Sequence, residues 1–200
     1  MNFLAHFHLA WPDRGLVIGA LEGDYCKGYL KGDFKPDIEA GIALHRAIDA
    51  FTDEHPLLLQ LRQAFPASIR RYAGILTDLS FDYYLSHHWA QFSTLALADF
   101  NREVYRVLQA SRQKLSHDSL RMLTRLIKYD LLNRYQYWDT IITSARYIIG
   151  QRLRQEQAVI MLEEQLQVLR TDIERTFLQF YPLLADFVYQ RTGQSSINNG

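Results

Sequence analysis

The sequence has 200 residues, 48% of them hydrophobic and 22% charged, a composition typical of one globular domain with a single hydrophobic core. Its 22 lysines and arginines balance its 22 aspartates and glutamates, which argues against a nucleic-acid partner, and its apolar runs are too short to span a membrane. Because the first residues lack the features of a secretory signal and Cys26 is the only cysteine, we expect a cytoplasmic protein without disulfides or a cysteine-bound zinc.

Apolar residues recur at helical spacing along most of the chain, and the alternation typical of strands is scarce. We therefore predict an all-α fold, a single-domain helical bundle that covers residues 1–192. The predicted helices lie near 13–30, 36–53, 56–72, 74–91, 96–114, 117–131, 134–150 and 152–190, the last broken near Thr171. Pro36 and Pro56 fit the first turns of two helices, and the composition of 193–200 predicts a disordered tail.

In the opening segment, which we predict to be extended, His6 and His8 alternate with apolar neighbours and would lie on one side of the chain. They could take part in a site, or they could be ordinary packing or surface histidines. Asp24 follows in a glycine-rich stretch, residues 19–28, that lacks the ending of a phosphate-binding loop. Asp24 could be a ligand there, or the glycines could serve only close packing between helices.

The densest group of acidic and imidazole side chains lies in residues 45–56. His45, Asp49 and Asp53 follow one another at intervals of four residues, so they would share one helix face. A neutral imidazole beside carboxylates suits a divalent transition metal such as Mn²⁺, Fe²⁺ or Zn²⁺. The alternative is an ordinary helix end, in which Thr52 or Asp53 caps the following helix.

Asp78 and Asp82 form a second pair at this spacing, inside a strongly apolar predicted helix. A buried carboxylate normally forms an ion pair, takes up a proton or binds a metal. The structural alternative is a salt bridge to one of the nearby cations Arg46, Arg70 and Arg71.

Two further features do not predict chemistry. The dipeptide His117-Asp118 has the composition of the pair that marks a large superfamily of helical phosphohydrolases, but no second cluster of ligands lies near it in sequence. Ser116 or Asp118 fits the cap of a helix at this point. Cys26 has no neighbouring base, so we do not expect a thiolate nucleophile.

Four stretches of the sequence closely resemble, in the same order, the acyl carrier protein phosphodiesterase family: residues 1–10, 23–28, 45–56 and 75–89. Weaker similarity at 132–135 and 177–182 extends the resemblance over nearly the whole chain. The resemblance implies an all-helical, manganese-dependent enzyme that is a divergent relative of the His-Asp metal phosphohydrolases. It implies hydrolysis of the phosphodiester that joins 4′-phosphopantetheine to a serine of holo-acyl carrier protein, which yields the apo-carrier.

On this basis we expect a divalent metal, Mn²⁺, bound by Asp24, His45, Asp49 and Asp78. Asp82 would be a further ligand, or it would accept a hydrogen bond from an imidazole and orient it. His6 or His8 would give a proton to the departing serine.

The implied partner is an acidic carrier protein, so we expect Lys27 and Arg46 to bind it within a basic surface that also includes Lys31, Lys35, Arg70 and Arg71. Many family members have asparagine where this chain has Ala20, and Glu22 would be the nearest substitute. Two other functions remain open: a metal-dependent phosphohydrolase of a nucleotide or another small phosphodiester, and a helical module that binds a carrier protein without catalysis.

Overall fold

The computed structural model describes residues 1–150 and 156–193, and within them the chain forms α-helices joined by short 3₁₀ turns, with no strand. The helices are α1 (Phe3–Ala10), α2 (Arg14–Glu22), α3 (Pro36–Glu54), α4 (Pro56–Ala64), α5 (Ala73–His87), α6 (Leu97–Ala110), α7 (His117–Lys128), α8 (Leu131–Arg134), α9 (Trp138–Gly150), α10 (Glu156–Val168) and α11 (Arg170–Thr192). The prediction of an all-α, single-domain fold is confirmed. No helix in the described part of the chain is both long and apolar enough to cross a membrane.

Several helix boundaries agree with the sequence signals. Pro36 and Pro56 each begin a helix, where the missing N–H of proline leaves no acceptor unpaired. Ser116 caps α7 through its side chain, which accepts the N–H of Ser119. The predicted break near Thr171 occurs at Leu169, between α10 and α11.

Other boundaries differ from the prediction. The helix predicted over 13–30 ends at Glu22, and Gly28 and Gly32 then adopt positive φ angles of 76° and 83° in a loop that leads to α3. This left-handed backbone is favourable for glycine and ends any helix that enters it. The prediction of an extended opening segment was also wrong, because residues 3–10 form a helix. The tail predicted over 193–200 falls, after Gly193, outside the described residues.

The crossing of α2 and α3 depends on two glycines. A Cβ atom at Gly19 would lie 2.5 Å from the Cα of Gly41, and a Cβ at Gly41 would lie 2.8 Å from the Cα of Gly19. Real Cβ atoms do not approach so closely, so the two backbones can touch here only because both side chains are absent. This contact places the loop after α2, which carries Asp24, beside the face of α3 that carries His45.

Helix α1 lies in the centre of the molecule. Leu4, Phe7 and Leu9 are almost completely buried, and α1 packs against α2, α3 and α5. Its N-terminus is bound by Asp82 of α5, whose two carboxylate oxygens accept the N–H groups of Leu4 at 2.9 Å and Ala5 at 3.1 Å. A carboxylate is stabilised at this end of a helix by unpaired N–H groups and the helix dipole.

Candidate active site

Three side chains converge on one point from two helices. His6 of α1 places its Nε2 atom 3.1 Å from Oδ1 of Asp49, and His45 of α3 places its Nε2 atom 3.2 Å from Oδ2 of the same carboxylate. The two imidazole rings stack at 3.9 Å between centroids. One ligand atom from each of the three residues lies within 4.8 Å of the others, so the group could hold a metal ion. The shared helix face predicted for His45 and Asp49 is confirmed.

The surroundings of His45 fit a metal. Its Nδ1 atom lies 2.9 Å from the carbonyl oxygen of Ala20, while its Nε2 atom faces the carboxylate of Asp49. Both neighbours only accept hydrogen bonds, whereas a neutral imidazole carries a single N–H. With its single N–H on Nδ1 and given to Ala20, His45 would offer the lone pair on Nε2 to a cation that Asp49 also binds. Donors of this kind, neutral nitrogen and carboxylate oxygen, suit a divalent transition metal.

Gly23 makes the position of His45 possible. A Cβ atom at Gly23 would lie 2.3 Å from Cγ of the His45 ring, much closer than any real contact. Only glycine therefore allows the chain to pass over the imidazole on its way to Asp24. Together with the carbonyl of Ala20, this contact fixes the plane and rotation of the ring.

The cluster has a buried side and an open side. The side chains of His6 and His45 are 3% and 4% exposed, whereas that of Asp49 is 42% exposed. Burial and the neighbouring His45 lower the pKa of His6 to about 3, so its imidazole is neutral near pH 7. Burial opposes ionisation of Asp49, but hydrogen bonds from His45 and His6 outweigh it and hold the pKa of this carboxyl below its usual range.

Asp24 and Asp78 border the same cluster. An oxygen of Asp24 lies 3.8 Å from Nε2 of His45. The amine of Met1 lies between the other two carboxylates, 3.2 Å from Asp78 and 3.4 Å from Asp49. Burial raises the pKa of Asp24 and that of Asp78. Of the four residues expected to bind the metal, His45 and Asp49 belong to the group that could hold one ion, Asp24 lies beside His45, and the amine of Met1 lies between Asp78 and Asp49.

Of the residues expected to act in proton transfer, His6 alone reaches the cluster. The helical form of α1 turns His8 away from His6, and the two ring nitrogens of His8 lie 2.8 Å from the hydroxyl of Tyr181 and 3.1 Å from the carbonyl oxygen of Phe92. Asp82 binds the N-terminus of α1, and burial raises its pKa to about 7.

The salt bridges considered for Asp78 and Asp82 are absent from the described residues. Arg46 donates to the carbonyl oxygens of Cys26 and Gly28, both at 2.8 Å. Arg70 donates to the carbonyl oxygens of Phe65 and Gln63, and Arg71 stacks on the ring of Tyr72. The three cations are thus occupied elsewhere.

A cavity of about 290 Å³ opens on the exposed side of the cluster. Its lining includes Asp24, His45 and Asp49 together with the two cations expected to bind substrate, Lys27 and Arg46. The hydrogen bonds of Arg46 to the backbone hold the loop after α2 against α3, while Lys27 is exposed. The cavity can therefore admit an anionic group directly beside the candidate metal ligands.

Three contributions were missed by the sequence analysis. His6 was assigned to proton transfer, whereas its Nε2 atom lies among the metal-binding candidates. Ala20 acts through its backbone carbonyl, and Gly23 acts through the absence of a side chain. Glu22 does not substitute for the missing asparagine, since its carboxylate accepts the N–H of Ser116 at 2.7 Å. Backbone and long-range contacts of this kind leave no mark on the local spacing of residues.

Comparisons with known proteins give a consistent result. A family model described as "Acyl carrier protein phosphodiesterase" matches residues 1–184. A protein of that name from Shigella boydii serotype 18 is 33% identical over 187 residues, which cover 91% of this chain and 94% of the relative. One from Escherichia coli O6:H1 is 32% identical over 191 residues, or 93% and 96% of the two chains.

A third relative with the same name, from Photorhabdus laumondii, is 44% identical over 89 residues, which span 44% of this chain and 45% of the relative. No solved structure matches the chain. Because the family model and two of the relatives cover almost its entire length, the chain belongs to the acyl carrier protein phosphodiesterase family.

Proposed function

We propose that this chain hydrolyses the phosphodiester between 4′-phosphopantetheine and a serine of holo-acyl carrier protein. The family and the names of its relatives support the reaction. The observation that carries the proposal is the convergence of His6, His45 and Asp49 at the edge of a cavity that also presents Lys27 and Arg46. A site for a cation next to a site for an anion suits metal-assisted hydrolysis of a phosphodiester.

We propose His6, His45 and Asp49 as the core of a divalent metal site, with Asp24 and Asp78 as further oxygen ligands at its edge. Mn²⁺ is the ion that the family resemblance implies, and imidazole and carboxylate donors are compatible with it. When bound, such an ion supplies Lewis-acid chemistry, which polarises the phosphoryl group and makes water a stronger nucleophile.

The cavity then orients the substrate. Lys27 and Arg46 would bind the nonbridging phosphate oxygens, and the charge that develops on these oxygens during attack would be stabilised by the same cations. His6 faces Asp49 within the cluster, and His8 is occupied by Tyr181 and Phe92, so the geometry favours His6 as a ligand and His8 as a structural residue. Neither histidine has to donate a proton to the departing serine for this site to form.

The partner we propose is a holo-acyl carrier protein, an acidic protein, in the cytoplasm. The loop between α2 and α3 carries three exposed lysines: Lys27, which lines the cavity, and Lys31 and Lys35, which follow it along the loop. Charges of this sign would attract an acidic carrier and orient its modified serine toward the metal site.

The test is to incubate the purified chain with holo-carrier and Mn²⁺ and to measure the carrier mass. We expect loss of the phosphopantetheine mass, and no loss after exhaustive chelation. A parallel incubation with nucleotides and small phosphodiesters tests the alternative of a general phosphohydrolase, which would hydrolyse these compounds. Binding of the carrier without any change in its mass would overturn the proposal in favour of a binding module.

A further inference from the structure

A second cavity, of about 470 Å³, lies between the start of α1 and helices α5, α7, α8 and α9. Its walls are mainly apolar and aromatic, with Phe3, Leu79, Met122 and Ile148 among the lining residues. Polar groups enter it at a few positions only. Its volume lies in the range of pockets for small organic ligands, and its outer wall is exposed at residues such as Tyr147 and Ile148.

Two residues that line this cavity directly follow residues of the candidate metal site in sequence. Leu79 follows Asp78 in α5, and Asn2 follows Met1, whose amine lies 3.2 Å from Asp78 and 3.4 Å from Asp49. The amide of Asn2 donates to the hydroxyl of Tyr135 at 3.1 Å, and both residues line the cavity. A flexible molecule bound at the metal site by one end could therefore extend into this cavity.

One polar group in the cavity wall lacks a partner. Thr140 is 5% exposed, and its hydroxyl is buried without a hydrogen bond in the described structure. A buried hydroxyl without a partner is unfavourable, and rotation of the Thr140 side chain toward the cavity would let a ligand complete its hydrogen bond. Thr143 and Ser144 place two further hydroxyl-bearing residues along the same helix.

Cations lie at the same cavity. Arg125 stacks its guanidinium on the ring of Tyr147, with 4.8 Å between the guanidinium carbon and the ring centroid, and Arg134 lines the cavity as well. Both arginines are exposed. They add positive charge at the solvent side of a pocket whose interior is apolar.

We infer that the cavity beside Thr140 receives the pantetheine arm of the substrate while the phosphate lies at the metal site. This inference rests on the proposed function. The arm combines a dimethyl-substituted carbon and methylene groups with two amides and a hydroxyl, which matches an apolar wall that carries a few hydroxyl groups. The unpaired hydroxyl of Thr140 pairs with an amide of the arm, and the cavity makes the enzyme selective for this phosphodiester over one without the arm.

Two variants test the inference. Ser144→Trp fills the cavity, and Thr140→Val removes the hydroxyl with almost no change of shape. A matched control, Leu59→Trp, places the same large side chain at a position of α4 that is 45% exposed and lines neither cavity. Each protein is assayed with holo-carrier and with bis(4-nitrophenyl) phosphate, a diester that has no arm.

The quantity compared is the kcat/KM for holo-carrier divided by the kcat/KM for the small diester. We expect this ratio to fall about tenfold or more in Ser144→Trp. In Thr140→Val it should fall about threefold to tenfold, which corresponds to the loss of one hydrogen bond. The control keeps the wild-type ratio. Thr140→Val should also unfold at a higher temperature than the wild type, because an unpaired buried hydroxyl has been removed.

The outcomes separate the two proposals. A wild type that never releases the arm from holo-carrier overturns the proposed function. A wild type that releases it, with the same ratio in a folded Ser144→Trp and in Thr140→Val, overturns only the assignment of this cavity. Should Ser144→Trp fail to fold, Thr140→Val decides alone, since an unchanged ratio in it contradicts the predicted hydrogen bond.

Discussion

At the scale of single residues, Asp49 is the centre of the candidate site. Its two oxygens face the imidazoles of His6 and His45, and one of them also lies 3.4 Å from the amine of Met1. A cation between Nε2 of His45 and this carboxylate would be bound by both groups, while Nδ1 of His45 keeps its contact with the carbonyl of Ala20. Asp49 is therefore the residue on which metal affinity should depend most strongly.

We predict that Asp49→Ala removes metal binding and hydrolysis together. A saturating metal at about a hundredfold excess over Kd should raise the unfolding temperature of the wild type by about 5–10 °C, and that of the variant by almost nothing. The metal-free variant should lose about 1–2 kcal/mol of stability, because two imidazoles lose a partner that is partly exposed. Thermal unfolding with and without Mn²⁺ measures both effects.

The control is Asp53→Ala, one helical turn further along α3. Asp53 forms an ion pair with Arg62 at 2.6 Å and its side chain is 66% exposed, so its loss should leave the response to Mn²⁺ unchanged. If Asp49→Ala kept both the wild-type response to Mn²⁺ and measurable hydrolysis, Asp49 would not be a ligand.

Gly23 gives a second prediction at this scale. Gly23→Ala would place a methyl group 2.3 Å from the ring of His45, so the imidazole must rotate or move away from Asp49. We expect Mn²⁺ affinity to fall about 10–100-fold, as it does when the groups that orient a ligand are removed. Calorimetric titration with Mn²⁺ provides the measurement.

Gly74→Ala is the matched control, because it makes the same change in α5, where the nearest atom to a new Cβ would be 3.5 Å away. That variant should bind Mn²⁺ normally and gain up to about 1 kcal/mol of stability. Equal Mn²⁺ affinity in the two glycine variants would show that the contact with His45 is unimportant.

At the scale of elements, α1 connects the site to the core. It directs His6 toward α3, and it directs His8 toward Tyr181 and Phe92 on the other side. Asp82 of α5 fixes its N-terminus through two backbone N–H groups. The position of His6 at the metal site therefore depends on a carboxylate that binds no other residue of the cluster.

This contact predicts a pH dependence of stability. Burial raises the pKa of Asp82 to about 7 in the folded chain, against about 4 for an unfolded aspartate. Between these two pKa values, the unfolded chain has lost a proton that the folded chain retains. The contribution of Asp82 to the free energy of unfolding therefore falls as the pH rises from about 4 to about 7. The fall is at most about 1.4 kcal/mol per pH unit.

Urea unfolding of the wild type and of Asp82→Asn over this pH range measures the contribution. The lowered pKa of His6 has the opposite effect on stability, and the difference between the two proteins removes it because His6 is present in both. We expect the stability advantage of the wild type over Asp82→Asn to shrink toward pH 7. An advantage that is constant or that grows would contradict the raised pKa of Asp82.

At the scale of the whole molecule, the chain has no net charge, so attraction of an acidic partner depends on where its cations lie. In the loop between α2 and α3, Lys27 lines the cavity that contains the metal-binding candidates, and the exposed Lys31 and Lys35 follow it along the chain. A field of this kind speeds the approach of an acidic partner and is weakened by salt.

We predict that reversing the charge of Lys31 and Lys35 together, by substitution with glutamate, lowers kcat/KM for the carrier about tenfold at low ionic strength and reduces its dependence on salt. Reversal of Arg102 and Arg175, whose side chains are 68% and 65% exposed on α6 and α11, makes the same change of net charge and should have little effect. Steady-state kinetics over a range of salt concentrations compares the pairs. Equal losses in both would mean that net charge, and not this loop, attracts the carrier.

The sequence by itself determined the features that depend on neighbours within one element. Helical periodicity predicted the all-α fold, and proline predicted the starts of α3 and α4. The four-residue interval between His45 and Asp49 predicted that both would share one helix face. The order of its motifs also indicated the family, which the comparisons confirmed.

Only the tertiary structure decided how these elements meet. Packing made the opening segment a buried helix, and this separated His6 from His8 and brought His6 to α3. The same packing places the carboxylate of Asp82 against the N–H groups at the start of α1, and not beside an arginine or among the metal-binding candidates. Spacing along a chain fixes which side chains share a face, but which faces come into contact is set by burial of apolar surface and pairing of backbone groups over the whole molecule.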